Sequence, residues 1–303
     1  MLFHAYGMYI NSYFDLGLLG LKALDDTEIK TIDLRIERSE KPLPKKKFLD
    51  NETYVDFKSG FYFRKDLALF EFISGNTIRI YPLKKIFDLD FMRVLLNYPI
   101  ACIMFQRGFF SLHASAVLHS NSVYMFCGQS LSGKSSIAAK FLESGAKLIT
   151  EDSAILKIDE GKAYIMPSYP FIKLSSEANE YIGFCDQNGL ELPADKNQRR
   201  GYKLNKDQFF PKSIQVDYCF YLDWSKDNTK IEKEDLKNQY SRILEASLNI
   251  YPLSREKEKL IFLSTLNFLK NVKTFRYMRQ RKLTSLKNVI EQVESIKIFE
   301  KFF

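Results

Sequence analysis

Residues 128–135 read Gly128-Gln129-Ser130-Leu131-Ser132-Gly133-Lys134-Ser135, which satisfies the pattern G-x-x-x-x-G-K-[ST]. Glycines in such a loop let successive backbone N–H groups point inward around an anionic phosphate. The apolar run 123–127 precedes the loop, and residues 134–144 carry the spacing of an amphipathic helix whose positive end would face the phosphate. The stretch therefore predicts a strand, a phosphate-binding loop and a helix.

A loop of this kind predicts a nucleoside triphosphate as its ligand. Lys134 would bridge the β- and γ-phosphates, and the Ser135 hydroxyl would ligate Mg²⁺. The residues expected to contact the nucleotide are Gly128, Gln129, Ser130, Leu131, Ser132, Gly133, Lys134, Ser135 and Ser136. We expect ATP rather than GTP, because the guanine-specificity motif Asn-Lys-x-Asp is missing: Asn205-Lys206-Asp207 is followed by Gln208.

The regions on either side of the loop differ in pattern. Residues 1–108 read as β-rich, with strand-like runs at 53–57, 61–64 and 77–81, and then helical spacing over 88–105 that is interrupted at Pro99. We expect this region to recognise substrate or to cover the sheet of the domain that follows. The order strand, helix, strand begins near residue 109.

The second region, 109–303, is expected to be one α/β domain. Its strand-like runs are 111–118, 123–127, 148–149, 154–158 and 274–278. Its helical patterns are 134–144, ended by Gly145, and then 256–268 and 283–296. The chain therefore predicts an α/β fold with a β-rich N-terminal region.

Three polar residues flank the loop in the sequence, at spacings that suit catalysis. Glu151 and Asp152 follow Ser135 after one crossover helix, so they could return to the phosphate edge of the sheet. His113 lies on the strand-like run before the one that feeds the loop, where it could orient or tune a base. An exposed turn for the carboxylates and a structural role for the histidine are the alternatives.

The combination of Leu112-His113-Ala114-Ser115-Ala116-Val117, the loop 128–135 and Leu148-Ile149-Thr150-Glu151-Asp152 resembles the catalytic domain of HPr kinase/phosphorylase. This resemblance implies a phosphoenolpyruvate-carboxykinase-like P-loop nucleotide-binding core. The segments Ala5-Tyr6-Gly7-Met8-Tyr9-Ile10-Asn11-Ser12 and Met166-Pro167-Ser168-Tyr169-Pro170 are similar to HPr-kinase-like proteins of peptide-modification pathways, including lasso-peptide pathways. In that group the implied activity is phosphorylation of a serine in a precursor peptide.

The resemblance also implies a role for each matched residue. Glu151 would take the proton of the acceptor hydroxyl with support from His113, while Asp152 and Ser135 would hold Mg²⁺. The chain departs from the family at two positions, since the family usually has Asp at position 151 and Gly at position 131. Either change would weaken catalysis. No C-terminal signature of the phosphorylase activity is present, so we expect a kinase only.

Cations must also surround the γ-phosphate. The cluster Arg199, Arg200 and Lys203 offers them, and we expect Arg200 and Lys203 to make the contact. Arg279 and Arg281 are the second choice, and a solvated surface is the alternative for both clusters.

The composition of the chain limits the classes of binding partner that we expect. The chain has 303 residues, 46% of them hydrophobic, and a formal net charge of +8. Its basic residues are interleaved with 37 acidic ones and form no basic–aromatic stripe, so we expect no nucleic-acid partner. The run Lys45, Lys46 and Lys47 reads as a solvated loop.

The spacing of the cysteines and the length of the apolar stretches indicate a cellular location. Cys102, Cys127, Cys185 and Cys219 have no zinc-site spacing and read as reduced thiols. The most apolar stretch, 94–105, contains Asn97 and Pro99 and is too short to span a membrane. We therefore expect a cytoplasmic chain without a membrane partner.

Two functions stay open on the sequence alone. The first is an ATP-dependent kinase that acts on a Ser or Thr hydroxyl of a peptide or small protein, or on a hydroxyl of a small molecule. The second is a catalytically weak nucleotide-binding module that regulates an interaction. The sequence leaves the acceptor and any homo-oligomer undecided.

Overall fold

The structure, a computed structural model, describes residues 1–25, 31–44, 52–56, 60–83, 87–185, 189–192, 197–247 and 255–299. The basic run Lys45, Lys46 and Lys47 lies outside these ranges. The fold is mixed α/β, as the sequence predicts, and its strands form several sheets. No helix within the described ranges is long and apolar enough to cross a membrane.

The N-terminal region forms a seven-stranded sheet within the described residues. Its strands are β1 (Leu2–Ala5), β2 (Met8–Ser12), β3 (Leu34–Arg38), β4 (Thr53–Asp56), β5 (Phe61–Arg64), β6 (Ala68–Ile73) and β7 (Thr77–Pro82), in the spatial order β1-β2-β3-β7-β6-β5-β4. Along β2, Met8, Ile10 and Ser12 are buried while Tyr9 and Asn11 are exposed. This alternation leaves one face of the strand for the core.

Two helices follow the first sheet. They are α1 (Leu89–Leu95), capped by the Asp88 side chain, and α2 (Tyr98–Gln106). The predicted helix over 88–105 is thus divided, and the division lies at Leu96 and Asn97 rather than at Pro99. Pro99 occupies the first turn of α2, where its missing N–H costs no helical hydrogen bond.

The remaining elements follow in chain order. They are β8 (Phe110–Leu112), β9 (Ala114–His119), β10 (Ser122–Cys127), α3 (Lys134–Glu143), β11 (Lys147–Thr150), β12 (Ala154–Asp159), β13 (Lys162–Ile165), β14 (Phe171–Leu174), α4 (Ser176–Ile182), β15 (Leu190–Glu191), β16 (Arg200–Lys203), β17 (Ile214–Gln215), β18 (Tyr218–Trp224), β19 (Lys230–Glu232), α5 (Leu236–Ala246), α6 (Arg255–Asn271), β20 (Lys273–Arg279) and α7 (Val289–Phe299).

The central sheet has the order β11-β9-β10-β18-β20-β19, and β10, β18 and β20 are parallel. Tyr124 and Phe126 of β10 pack with α3 and α7 on one face. Val123, Met125 and Cys127 pack with α5 and α6 on the other face. Helices thus cover both faces, as a parallel sheet requires.

Two smaller sheets complete the fold: β17-β13-β12-β8 and β14-β16-β15. The core of the first region is not confined to residues 1–108, because it includes Ile155, Met166, Tyr169 and Phe171. The candidate site lies where these later strands meet α1, α2 and the central sheet.

Three element predictions need correction. The run 111–118 is divided into β8 and β9, because His113 leaves both ladders and its N–H donates to the Ala246 carbonyl instead. The run 283–296 begins as a 3₁₀ helix over Leu283–Leu286 and becomes α-helical only from Val289. The C-cap of α3 is Ser144, and Gly145 follows it with a φ of +92°.

Candidate functional site

Loop 128–135 joins the end of β10 to the start of α3. Gly128 and Gly133 have φ angles of +136° and +91°. A Cβ atom on Gly128 would lie 2.8 Å from the Leu222 carbonyl oxygen, and one on Gly133 would overlap the Arg279 guanidinium. Both positions therefore require glycine.

Leu131 is an unusual residue for its position in this loop. Its φ is +65°, a left-handed conformation that side chains with a Cβ atom rarely adopt, and its side chain is exposed. Backbone strain of this kind tends to occur at ligand-binding loops, where the surrounding structure maintains it. Leu131 is therefore a strained residue in a loop whose other left-handed positions, Gly128 and Gly133, are glycines.

Lys134 is the first residue of α3, and its side chain is turned into the loop. Its ammonium donates hydrogen bonds to the carbonyl oxygens of Gly128, at 2.9 Å, and Gln129, at 2.7 Å. The residue is buried, and burial lowers the pKa of Lys134 to about 8. A positive charge is thus held inside the loop at neutral pH.

Ser135 and Glu151 connect the helix to the end of β11. The Ser135 hydroxyl donates a hydrogen bond of 2.6 Å to Oε1 of Glu151, whose side chain is buried. The register between β11 and β9 shifts between Leu148 and Thr150, directly before the carboxylate. Such an irregularity re-aims the residues that follow it.

Asp152 contacts a different set of residues. Its φ is +66°, so its side chain diverges from that of Glu151. One oxygen accepts from the Lys173 ammonium and, at 3.3 Å, from the Asn97 side chain. The other oxygen lies 3.7 Å from Nε2 of His113. The histidine therefore faces Asp152, and the loop serine faces Glu151.

Lys173 joins the two carboxylates. It lies on β14, is 1% exposed, and its ammonium is also 3.9 Å from Oε2 of Glu151. A buried cation between two buried carboxylates offsets part of the cost of removing all three charges from water. Lys173 thus keeps the pair together beneath the loop.

The pKa values of the two carboxyl groups move in opposite directions. Burial raises the pKa of Glu151 and the charge of Asp152 raises it further, against the opposing effects of Lys173 and the Ser135 hydrogen bond. Burial also acts to raise the pKa of Asp152, but Lys173 and then His113 outweigh it and hold the pKa well below its ordinary value. Asp152 therefore stays ionised at neutral pH.

A first cavity of about 160 Å³ opens against the loop. The residues that line it include five of loop 128–135, namely Ser130, Leu131, Gly133, Lys134 and Ser135. The others are Ser136 of α3, His113, Asp152, Lys173, Leu174, Ser175, Asn197 and Arg199. Glu151 is not among them, which agrees with its position behind Ser135. The cavity is polar on the side of Asp152 and Lys173, where a phosphate chain or a hydroxyl could be held.

The predicted phosphate-binding cations occupy other positions. Arg200 pairs with Glu191 at 3.4 Å, and Lys203 donates to the Gly17 carbonyl at 3.4 Å. Neither residue lines the cavity, whereas the adjacent Arg199 does. Successive residues of an extended chain point to opposite sides, which separates Arg199 from Arg200.

Arg279 supports the loop from behind. It is 3% exposed, its guanidinium stacks 4.5 Å from the centre of the Trp224 ring, and Nη2 donates to the Ser132 carbonyl at 3.3 Å. Burial lowers the pKa of Arg279 to about 10, so it remains a cation at neutral pH. Arg281 lies farther from the same ring, at 6.0 Å.

The remaining loop residues have plain structural positions. The Gln129 amide donates to Glu245 of α5, and the Ser132 side chain is buried. Neither side chain lines the first cavity, so only their backbone could serve a ligand there.

Sequence reasoning did not identify Lys173, Asn97 or Trp224. One signal for Lys173 was available, because it is the charged member of the apolar stretch Phe171–Leu174 and such a residue is buried only when it is paired. Asn97 also interrupts an apolar stretch, but Asn97 and Trp224 lie far along the chain from Asp152 and Arg279, and no local pattern indicates those partners.

The described residues contain no cluster of three or more His, Cys, Asp or Glu side chains that could hold a metal by themselves. Oxygen donors are nevertheless present beside the cavity, in the Ser135 hydroxyl and the Glu151 carboxylate. Two such groups suit Mg²⁺, which usually keeps several waters and takes other ligands from substrate phosphates.

Comparison with known proteins gives a limited result. No protein-family model and no curated protein matches the sequence. Among solved structures, the chain is similar to the HPr(Ser) kinase/phosphatase from Coxiella burnetii, with 12% identity and a TM-score of 0.29, over 61% of this chain and 98% of that one. A TM-score this low establishes neither a shared fold nor a shared activity.

Proposed function

We propose that this protein is an ATP-dependent kinase that transfers the γ-phosphoryl group to a Ser or Thr hydroxyl of a peptide or small protein. The observation that carries the proposal is the convergence of loop 128–135, His113, Asp152 and Lys173 on one cavity. A phosphate cradle, an ionised carboxylate and a cation are the parts that phosphoryl transfer uses. The resemblance of these motifs to HPr kinase favours a phosphoenolpyruvate-carboxykinase-like core.

The triphosphate would lie along the loop. Backbone N–H groups of the loop and the N-terminal end of α3 favour anionic oxygens, and Lys134 and Ser136 border the space where they would lie. Lys134 would exchange its bonds to the Gly128 and Gln129 carbonyls for bonds to phosphate. Arg199 replaces Arg200 and Lys203 as the cation proposed for the γ-phosphate.

Ser135 and Glu151 would hold Mg²⁺, which would neutralise phosphate charge when bound. This proposal exchanges the roles that the resemblance implies for the two carboxylates. Glu151 is favoured for the metal because it accepts the hydrogen bond of Ser135, the loop residue expected to ligate Mg²⁺.

Asp152 is favoured as the group that receives the acceptor proton. In the step, the acceptor hydroxyl oxygen bonds to the γ-phosphorus and the bond from this phosphorus to its bridging oxygen breaks, which releases the nucleoside diphosphate. The hydroxyl proton passes to the Asp152 carboxylate and then to solvent. His113, 3.7 Å away, would orient that carboxylate, and Lys173 would hold it in position.

The test is transfer of label from [γ-³²P]ATP with Mg²⁺ to Ser- and Thr-containing peptides and small hydroxyl compounds. We expect transfer by the wild type and a loss of at least about 100-fold in both K134A and D152N. K140A is the matched control, because Lys140 lies on the same helix and pairs with Glu143 at the surface.

Two results would oppose the proposal. Transfer that persists in K134A and D152N would remove the site from the reaction. ATP binding that depends on Lys134 but leads to no transfer would identify the alternative, a nucleotide-binding module.

A further inference from the structure

A second cavity, of about 290 Å³, adjoins the first. The two share five lining residues: His113, Ser130, Asp152, Lys173 and Arg199. The second cavity therefore begins where the first ends, at the carboxylate proposed to receive the acceptor proton. A ligand in the second cavity could place a hydroxyl beside Asp152 without displacing phosphates from the loop.

The outer wall of this cavity comes from the N-terminal region. It is formed by Tyr62 and Arg64 of β5, Arg93 and Val94 of α1, and Asn97 and Tyr98. The rings of Tyr62 and Tyr98 lie 4.8 Å apart and give the wall an apolar surface. This region thus contributes a specific surface to the site as well as covering the sheet.

Most of the charged side chains that line this cavity are cations. Among the described residues that line it, Arg64, Arg93, Lys173 and Arg199 are cations and Asp152 is the one carboxylate. Lys173 is held by Asp152 itself, and Arg64 makes a close two-point pair with Asp66, at 2.6 and 3.0 Å.

Arg93 is held more loosely. Its Nε and Nη2 both reach a single oxygen of Asp90, at 3.4 and 3.3 Å, which is long for a charge-assisted hydrogen bond. The side chain is 13% exposed, so its guanidinium lies in a largely desolvated wall. A ligand carboxylate could bind it in the paired geometry that guanidinium groups favour.

We propose that the second cavity is the acceptor site and that it selects a hydroxyl acceptor carrying a carboxylate, with Arg93 as the anchor for that carboxylate. This inference rests on the proposed kinase function. The ligand is either a small hydroxy acid or a serine of a peptide with an acidic neighbour, since both present the same two groups. In either case the apolar part of the ligand packs on Tyr62 and Tyr98.

The experiment compares matched acceptors with the full chain and saturating MgATP. One pair is glycerate and glycerol, and the other is the acetylated, amidated peptides Ala-Ser-Asp-Ala and Ala-Ser-Asn-Ala. Label transfer from [γ-³²P]ATP gives kcat/KM for each acceptor. We expect the acidic member of at least one pair to be preferred by about 10- to 100-fold. Preference within the first pair identifies a free hydroxy acid, and preference within the second identifies a peptide.

Arg93 variants then test the anchor. R93Q is expected to raise KM for the acidic acceptor and to reduce its preference about 10-fold, and R93K is expected to recover part of the loss. R79Q is the control, since Arg79 lies on β7, pairs with Glu71 at 3.2 Å and does not line the cavity.

The wild-type comparison does not depend on how well any variant folds. Equal kcat/KM values within both pairs would overturn the acceptor proposal and leave the kinase proposal intact. A preference that survives in R93Q would overturn the role of Arg93. Bound MgATP without transfer to any acceptor would overturn both the kinase and the acceptor proposals.

Discussion

The Ser135 hydroxyl donates a 2.6 Å hydrogen bond to the Glu151 carboxylate and so ties the first turn of α3 to the end of β11. This contact lies directly behind the first cavity. The hydrogen bond holds the Glu151 carboxylate next to the Ser135 hydroxyl, which would otherwise face solvent or a phosphate. The relation between these two residues is the basis for assigning Glu151, rather than Asp152, to the metal.

Removing the Ser135 hydroxyl tests that assignment. We expect S135A to make nucleotide binding nearly independent of Mg²⁺ and to lower the free energy of unfolding by about 1–2 kcal/mol, because buried Glu151 loses a partner. Titrations of ATP with and without Mg²⁺ measure the first effect. S144A is the control: it also removes a serine hydrogen bond of α3, to the Phe141 carbonyl at 2.8 Å. Equal Mg²⁺ dependence in S135A and the wild type would contradict the assignment.

Replacing Lys173 tests the buried charge cluster. K173M leaves two carboxylates buried without their shared cation, and we expect a loss of about 3–5 kcal/mol in the free energy of unfolding. Adding D152N should recover part of that loss, since one of the two unpaired charges is gone. Denaturant titration of both variants measures the effect. A loss below about 1 kcal/mol in K173M would mean that the ammonium is not essential to the pair.

Gly133 and Gly145 have nearly the same φ, so replacing each one separates the cost of backbone strain from the cost of steric overlap. Gly133 and Gly145 have φ angles of +91° and +92°, but only a Cβ on Gly133 would overlap Arg279, whereas no heavy atom lies within 4 Å of one on Gly145. We expect G145A to cost about 1 kcal/mol and G133A about 3 kcal/mol or more. Denaturant titration measures both, and equal losses would show that Arg279 does not press on the loop.

Asp223 provides a test of stability against pH. Partial burial acts to raise the pKa of this carboxyl group, but hydrogen bonds from Arg276 and the charges of Arg276 and Arg242 lower it overall. A depressed folded-state pKa contributes stability that is present above the unfolded value, about 3.9, and is lost as pH falls through the folded value.

We therefore expect D223N to destabilise the protein by about 1 kcal/mol at pH 7, a modest figure because the carboxylate is one-third exposed and screened by solvent. The difference from the wild type should shrink below about pH 4. Thermal unfolding across this range measures it, with D227N as an exposed control. If D223N destabilises the protein by the same amount at every pH, the result would contradict a stabilising ion pair between Asp223 and Arg276.

The sequence predicts the central elements of this site well because their signals are local. The spacing of Gly128, Gly133 and Lys134, with an apolar strand before and an amphipathic helix after, defines the loop within a short stretch. The order of strands also indicates that His113 and the carboxylates return to the same edge. The mixed α/β class follows from the same pattern.

The rest of the site depends on geometry that no local pattern records. Glu151 and Asp152 are adjacent, and their different directions come from a shift in strand register and a left-handed backbone at Asp152. Lys173 meets Asp152 across 21 residues of chain. Arg199 and Arg200 differ in position by one residue, and only the direction of the chain before β16 decides which one faces the cavity.

The proposed kinase function requires that loop 128–135 bind a nucleoside triphosphate through Lys134. Calorimetric titration of the wild type, K134A and K140A with Mg²⁺ and a non-hydrolysable ATP analogue tests it most directly. We predict micromolar binding by the wild type and K140A, and binding weaker by about 100-fold in K134A, because a charge-assisted contact to phosphate is lost. Equal affinity in K134A, or no binding by the wild type, would contradict the account.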